Sequence, residues 1–275
     1  MKSYFTVFCF LMLFLTATFT ASFAQFPWTK DSNNPVMFGG ASGTWNRLVM
    51  MPNVLYNIDS SRYEMWYAAS SGSPLRPYRI GFATSPDGIS WTKHLTPVLT
   101  PTAGTWDEST VEGPMVLREN GQYKMWYIGW KPNAIGGIGI GYATSPDGIN
   151  WTKDTQNNPV MGAGTAAWEE GGSGYCTVRP VPGGGYEMWY TGFNADSPIP
   201  SETNIGYASS PDGINWTKHP SNPVLTIGTP GQWDNPKIML PKVVFLNLMY
   251  HMWYTGGQIP TGTRKIGWAT SVDGI

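Results

Sequence analysis

Histidine and cysteine are scarce: the 275 residues hold three His and two Cys. No zinc-type ligand spacing occurs, and so few imidazoles give no basis for a His-rich metal centre. Neither a metal nor another cofactor is expected. Cys9 lies in an apolar N-terminal stretch, which leaves Cys176 alone in the rest of the chain. A lone thiol forms no internal disulfide. With only His94, His219 and His251 to act as base, Cys176 reads as a small core residue and not a nucleophile. Charge is scarce as well, at 13% of residues and a net of −1. That balance gives no electrostatic pull toward nucleic acid or an anionic membrane, so neither is expected as a partner. There is no phosphate-cradling glycine loop and no Ser-His-Asp set.

Abundant instead are turn formers and aromatics: 33 Gly, 23 Pro and 14% Phe, Trp and Tyr. This mix suits many short strands joined by tight turns and argues against a helical protein. The N-terminus is different. Lys2 precedes an almost wholly apolar run over residues 4–14, and Ser22-Phe23-Ala24 offers small residues at the positions a signal peptidase reads. Residues 1–24 are read as a secretory signal cleaved before Gln25, with an uncleaved anchor as the alternative. No other stretch approaches the ~20 apolar residues of a spanning helix. A secreted or periplasmic monomer is expected, with no membrane segment once the signal is removed.

Residues 25–275 repeat. A Trp opens each unit (Trp45, Trp106, Trp168, Trp233), spaced 61, 62 and 65 residues apart. A Met-Trp-Tyr triplet follows at Met65, Met125, Met188 and Met252, then an Asp-Gly pair at Asp87, Asp147, Asp212 and Asp273. A period near 60 is read as one supersecondary unit each time, with repeats over about 45–100, 106–161, 168–225 and 233–275. Each reads as four strands. In the second these are residues 111–117, 123–129, 138–145 and 149–153, with Asn120-Gly121 as a hairpin turn. On the second strand Tyr123, Met125 and Tyr127 share one face and Lys124 and Trp126 the other. Four-stranded antiparallel sheets repeated around an axis make a β-propeller, an all-β fold.

The repeated Ser-Pro-Asp-Gly-Ile-x-Trp box reads as structural. Pro presets φ, the Asp carboxylate accepts from turn amides, and Gly supplies φ > 0. The box resembles the Asp box of sialidase propellers, without the residue between Asp and Gly. The sequons at Asn150 and Asn215 fall inside it and are discounted as glycosylation sites. Residues 26–37 copy the end of a repeat, with Trp28-Thr29-Lys30 matching Trp151-Thr152-Lys153. Such a lone strand suits ring closure against the fourth repeat. Two counts stay open: a four-bladed ring completed by Trp28, or a five-bladed one whose last blade this chain does not carry.

The segment Val111-Glu112-Gly113-Pro114, followed by Gly121-Gln122-Tyr123-Lys124-Met125-Trp126-Tyr127, is similar to the general-acid strand of the five-bladed glycoside hydrolases. These are the family 43 arabinanases and xylosidases, with relatives in families 32 and 130. The likeness in blade architecture covers residues 28–275. It implies a secreted carbohydrate-active protein, a glycosidase or glycoside phosphorylase acting on a poly- or oligosaccharide, with Glu112 as acid. Two carboxylates are usual for glycoside hydrolysis. The positions matched to Glu112 are about Met50, Tyr175 and Met239, so the aspartates of the family have no counterpart. The nearby replacements are Asp107, Glu169 and Asp234, each directly after an opening Trp. Asp107 is the second catalytic candidate, although the recurrence favours structure. Substrate contacts are expected from Arg76, Trp130, Tyr175, Asn194 and Asp234, whose rings stack on sugars and whose polar groups bond hydroxyls. The near-identity of the repeats supports the alternative of a catalytically degenerate, glycan-binding or cell-surface propeller.

Overall fold

The structure, a computed structural model, describes residues 29–72, 77–132, 136–195, 201–257 and 262–275. The chain divides into two compact units, Met1–Asn34 and Pro35–Ile275. Of the first, residues 29–34 are described. They form no strand, only a turn in which the Asn33 amide donates to Asp31 Oδ1 at 2.7 Å. Trp28 and the expected signal lie outside the described residues.

The second unit is all-β; among its described residues the single helical turn is a 3-10 turn at Ala167–Glu169. The first repeat forms strands β1 (Leu48–Asn57), β2 (Arg62–Ser70), β3 (Arg79–Ser85) and β4 (Thr92–Lys93). The second forms β5 (Thr110–Glu119), β6 (Gln122–Trp130), β7 (Ile138–Ser145) and β8 (Thr152–Lys153), and the third β9 (Gly172–Pro180), β10 (Tyr186–Phe193), β11 (Thr203–Ser210) and β12 (Thr217–Lys218). In each, consecutive strands pair antiparallel, and one parallel pair, Ile138 with Gly172, links the second sheet to the third. The fourth repeat has three described strands: β13 (Ile238–Leu246), β14 (Met249–Gly257) and β15 (Arg264–Ser271).

The core lies between sheets. Alternation on β6 turns Tyr123, Met125 and Tyr127 toward the first repeat, where they meet Trp66, Ile80 and Phe82. Trp126 turns the other way, into a cluster with Val178, Met188 and Tyr186 of the third. Trp66, Trp126 and Trp189 occupy the same place in three repeats and are wholly buried. Each such indole removes on the order of 200 Å² from water, which at about 25 cal/mol per Å² is roughly 5 kcal/mol. Exposed ion pairs contribute at most about 1 kcal/mol each, so the indoles govern how the sheets hold together.

The Asp-Gly box is the socket for these indoles. Ser145 Oγ accepts from the Asp147 and Gly148 amides, and Asp147 Oδ1 accepts from the amides of Ile149 (2.9 Å) and Asn150 (2.7 Å). This capture explains why the fourth strand is only Thr152–Lys153 and does not start at 149: the amides of Ile149 and Asn150 belong to the turn. Slight burial acts to raise the Asp147 pKa, but the Asn150 and Ile149 amides outweigh it and lower it to about 2. The Gly148 carbonyl accepts two indole N–H groups, Trp151 of its own repeat at 2.8 Å and Trp66 of the preceding one at 2.8 Å. Gly213 does the same for Trp216 (3.0 Å) and Trp126 (2.8 Å). Gly148 has φ +78°, and a Cβ there would lie 2.8 Å from Trp66 Cζ2, so backbone and space both require glycine. Asn150 donates its amide group to Asp147 Oδ2 at 2.7 Å. A second row of joints runs alongside: Tyr123 OH donates to Glu64 at 2.7 Å and Tyr250 OH to Glu187 at 3.0 Å, each across a sheet boundary.

Candidate functional site

Every first strand is broken by a bulge at one level. The register shifts between Met50 and Asn53, between Glu112 and Met115, across Gly174 to Thr177, and between Met239 and Lys242. The residue that opens each bulge is left-handed: Met51 (φ 53°), Gly113 (φ 59°), Tyr175 (φ 42°) and Leu240 (φ 59°). Three of the four precede proline (Pro52, Pro114, Pro241), a position that ordinarily favours extended backbone. Strain of this kind persists only where surrounding structure enforces it, and it clusters at functional sites.

The four bulges face one another. Met51-Pro52, Gly113-Pro114, Tyr175-Cys176 and Leu240-Pro241, with Lys242, line a cavity of about 210 Å³. Glu112 is the residue just before the Gly113 bulge and is buried, 6% exposed. Its partner in register is Ile128. It therefore sits toward the end of the sheet that carries Trp130 and Ile138, away from the Asp-Gly turn at Ser145. Register also corrects the matching of positions: Glu112, Met50, Gly174 and Met239 are equivalent, whereas Tyr175 is one residue further, at the bulge itself. None of the three counterparts ionises. Lys242 lines the cavity with part of its surface in water, and the protein packed around it desolvates the ammonium and lowers its pKa. Burial pushes the Cys176 thiol up to about 12, which keeps it protonated at neutral pH.

Of the expected substrate contacts, Tyr175 lines the cavity, where a Cβ on Gly113 would lie 3.2 Å from its Cδ1. Trp130 ends β6 opposite Thr110, and Asn194 follows β10. Both are half-buried and lie at the Glu112 end of their sheets. Asn194 Nδ2 donates to Ser201 Oγ at 2.9 Å. Arg76 lies outside the described residues. Asp234 stands behind an opening Trp and accepts from Tyr254 OH at 3.4 Å, and it is not among the residues that line the cavity.

Asp107 belongs with Asp234 rather than with Glu112. It is 1% exposed, and its two oxygens accept from the Thr102 amide (3.2 Å), Thr105 Oγ1 (2.7 Å), Tyr127 OH (3.2 Å) and Lys153 Nζ. Glu169 repeats the pattern with Tyr190 OH (3.0 Å) and Lys218 Nζ (2.8 Å). Beside each pair the opening Trp lies against the same Tyr, with ring centroids 5.9 Å apart for Trp106 and Tyr127. Burial first, then the neighbouring carboxylate, raises the pKa of Tyr127 and Tyr190. Asp107 thus ties the start of the repeat, the Met-Trp-Tyr strand and the last strand together. Asp107→Ala leaves the Lys153 ammonium, 15% exposed, without its carboxylate. The expected cost in a denaturant titration is about 3–5 kcal/mol. Two signals in the sequence point to these features and carry no weight in a motif reading: the proline that recurs at three of the four bulges, and the Lys that ends each Trp-Thr-Lys.

Among the described residues no three His, Cys, Asp or Glu side chains converge as a metal site, and no helix is long and apolar enough to cross a membrane.

The fold and site can be set beside known proteins. No family model matches the chain. Two uncharacterized proteins of Mycobacterium tuberculosis, MT1551 and Rv1502, are 29% and 28% identical to it over 156 and 159 residues. Each alignment covers 54% of this chain, and the chain spans about half the length of these curated relatives (48%). Solved structures give a broader likeness. A putative glycosidase from Bacteroides thetaiotaomicron superposes with a TM-score of 0.62 at 20% identity, over 87% of this chain and 77% of that one. A thermostable family-43 glycoside hydrolase gives 0.61 at 18% identity, over 87% of this chain and 71% of that one. A structure from the family-130 mannoside phosphorylases, which contain glycoside hydrolases that target β-1,2-mannosidic linkages in Candida mannan, gives 0.60 at 19% identity, over 89% and 76%. The all-β, propeller-like fold of this chain is therefore similar to that of the five-bladed glycoside hydrolases, the group the Val-Glu-Gly-Pro segment resembles.

Proposed function

We propose that the four sheets are blades of a five-bladed β-propeller and that the protein acts on glycosides outside the cytoplasm, as a secreted or periplasmic monomer. The site is the cavity at the bulges, and Glu112 is the general acid. One observation carries this reading: among four equivalent pre-bulge positions, one alone holds an ionisable side chain, and it is buried. Burial away from water is how a carboxyl becomes able to donate a proton near neutral pH. Tyr175 supplies an aromatic wall beside Gly113, and Trp130 and Asn194 supply a ring and an amide at the same end. The glycan is a poly- or oligosaccharide. Asp107 serves the joint between strands and takes no part in the chemistry.

A second reading has its own observation. Met50, Gly174 and Met239 offer no second carboxylate at the equivalent positions, which suits a propeller that binds glycans without cleaving them. The deciding experiment incubates the protein with a broad panel of oligosaccharides, with and without inorganic phosphate. New reducing ends, or sugar 1-phosphates that need phosphate, support the enzyme. Binding by calorimetry with no product establishes the binding module instead.

A further inference from the structure

The fourth repeat brings to the bulge cavity a charge that no other repeat brings. Just after each bulge, one residue pairs in register with the tryptophan of the second strand. These are Asn53 with Trp66, Met115 with Trp126, Thr177 with Trp189 and Lys242 with Trp253. Three are neutral, and each is engaged by a neighbouring repeat. Asn53 Oδ1 accepts from the Val116 amide at 3.1 Å, and its Nδ2 lies 3.7 Å from Met115 Sδ. Thr177 Oγ1 donates to the Pro241 carbonyl at 2.7 Å. Lys242 alone ionises, and it lines the cavity.

The cavity wall holds no counter-charge for it. No Asp or Glu lines the cavity, and none of the ion pairs among the described residues includes Lys242. The titratable group that acts on it is the Cys176 thiol. Burial keeps that thiol protonated at neutral pH, so it offers no negative charge. The surrounding protein strips water from the ammonium, which lowers its pKa. Desolvating a cation without an anion beside it costs free energy, and removing the partner of such a charge is what destabilises buried pairs. A cation kept in this setting is therefore set up for a partner that arrives from outside. The apolar walls, Met51, Pro114 and Leu240 among them, lower the local dielectric and strengthen any pair that forms there. The same cavity holds Tyr175, whose ring offers a surface for the C–H face of a sugar.

We infer that Lys242 makes this cavity a site for an acidic glycan, with the ammonium holding the carboxylate of a uronic acid unit seated against Tyr175. An ammonium takes a carboxylate as a compact point charge with three donors, and a charge-assisted bond of this kind is about twice as strong as a neutral one. A neutral oligosaccharide leaves the ammonium desolvated and unpaired, and that cost discriminates against it. The inference rests on the reading of the cavity as a glycan site and narrows it to sugars that carry a carboxylate. It does not depend on whether Glu112 transfers a proton.

Calorimetric titration tests it. The probes are trisaccharides of galacturonic and of glucuronic acid, their methyl esters, the corresponding neutral trisaccharides, and inorganic phosphate. The proteins are the parent, Lys242→Met and Lys242→Arg. One of the acidic trisaccharides should bind the parent at least about 10-fold more tightly than its methyl ester, which keeps the size and loses the charge. Lys242→Met should lose roughly 10- to 100-fold in affinity for that acid and little for the ester, and Lys242→Arg should keep most of it. The melting temperature of Lys242→Met should equal or exceed the parent's, because the substitution removes an unpaired charge. A fall in its melting temperature would make the ammonium a structural partner and overturns the inference. Equal binding of acid and ester overturns it, as does an acid whose affinity survives Lys242→Met. Phosphate that binds through Lys242 while the acidic sugars do not overturns it in favour of a free phosphate site. Neutral sugars that bind while acidic ones do not overturn it and leave the glycan site standing. If no saccharide of either kind binds or is cleaved, the glycan site falls and this inference falls with it.

Discussion

Glu112→Gln should lower turnover of a natural glycoside by about 10²- to 10⁴-fold, the usual contribution of a positioned general acid. Thermal stability should hardly change, because glutamine keeps the size and the hydrogen-bonding capacity of the side chain and removes only the transferable proton. The loss should depend on the leaving group. A sugar hydroxylate departs poorly unless protonated, so the variant fails on it. A dinitrophenolate departs without a proton, so a dinitrophenyl glycoside should be cleaved by the variant at close to the parent rate. A purely structural Glu112 would slow both substrates alike. Measuring kcat on the two substrates in both proteins therefore separates an acid from a prop, and equal losses on the two would remove Glu112 from the chemistry.

The second large effect concerns the joints. Trp126→Ala removes a wholly buried indole from between the second and third sheets, and aromatic-to-alanine changes in cores cost about 3–5 kcal/mol. For a chain of this size that is a fall in melting temperature of roughly 10 °C. Trp126→Phe isolates the hydrogen bond. The Gly213 carbonyl keeps Trp216 as donor, so the loss of one indole N–H should cost only about 0.5–1.5 kcal/mol beyond the change in volume. Trp253→Ala in the 275-residue chain should cost less than about 1 kcal/mol, since its indole is half in water. Differential scanning calorimetry of the three variants checks the order. A Trp126→Ala variant as stable as the parent would mean that the sheets hold together by other contacts.

Much of this architecture is legible in the chain because the repeat is nearly literal. Tyr123, Met125 and Tyr127 face one neighbour and Trp126 the other, as period-two alternation requires, and the Asp-Gly box is a turn held by its own carboxylate. The turn, read from the box alone, belongs to the box tryptophan Trp151. It is instead shared with Trp66, because the Gly148 carbonyl has two lone pairs and takes both indoles. That partnership spans 82 residues, and no local pattern reveals it. The bulges were hidden for a related reason. A bulge adds a residue without changing the hydrophobic pattern on either side, so counting back from Met188 places Tyr175 where register places Gly174. The Asp107 and Glu169 carboxylates show the limit of reading residue types alone: an acidic residue near a candidate acid can be a partner in catalysis or a buried tie to a lysine, and only its neighbours distinguish the two.

The shared carbonyl at each box also shapes how the protein folds. A repeat on its own has an indole with no acceptor on one side and a turn with a spare acceptor on the other, so it gains much of its stability only when a neighbour docks. Stability then behaves like that of a one-dimensional chain of coupled spins, with a term for each repeat and a term for each junction. Among these four repeats, unfolding an inner one loses two junctions, whereas unfolding the first or the fourth loses one. Opening should thus start at the outermost sheets and travel inward, and the repeats flanked on both sides should be the last to exchange their amide hydrogens.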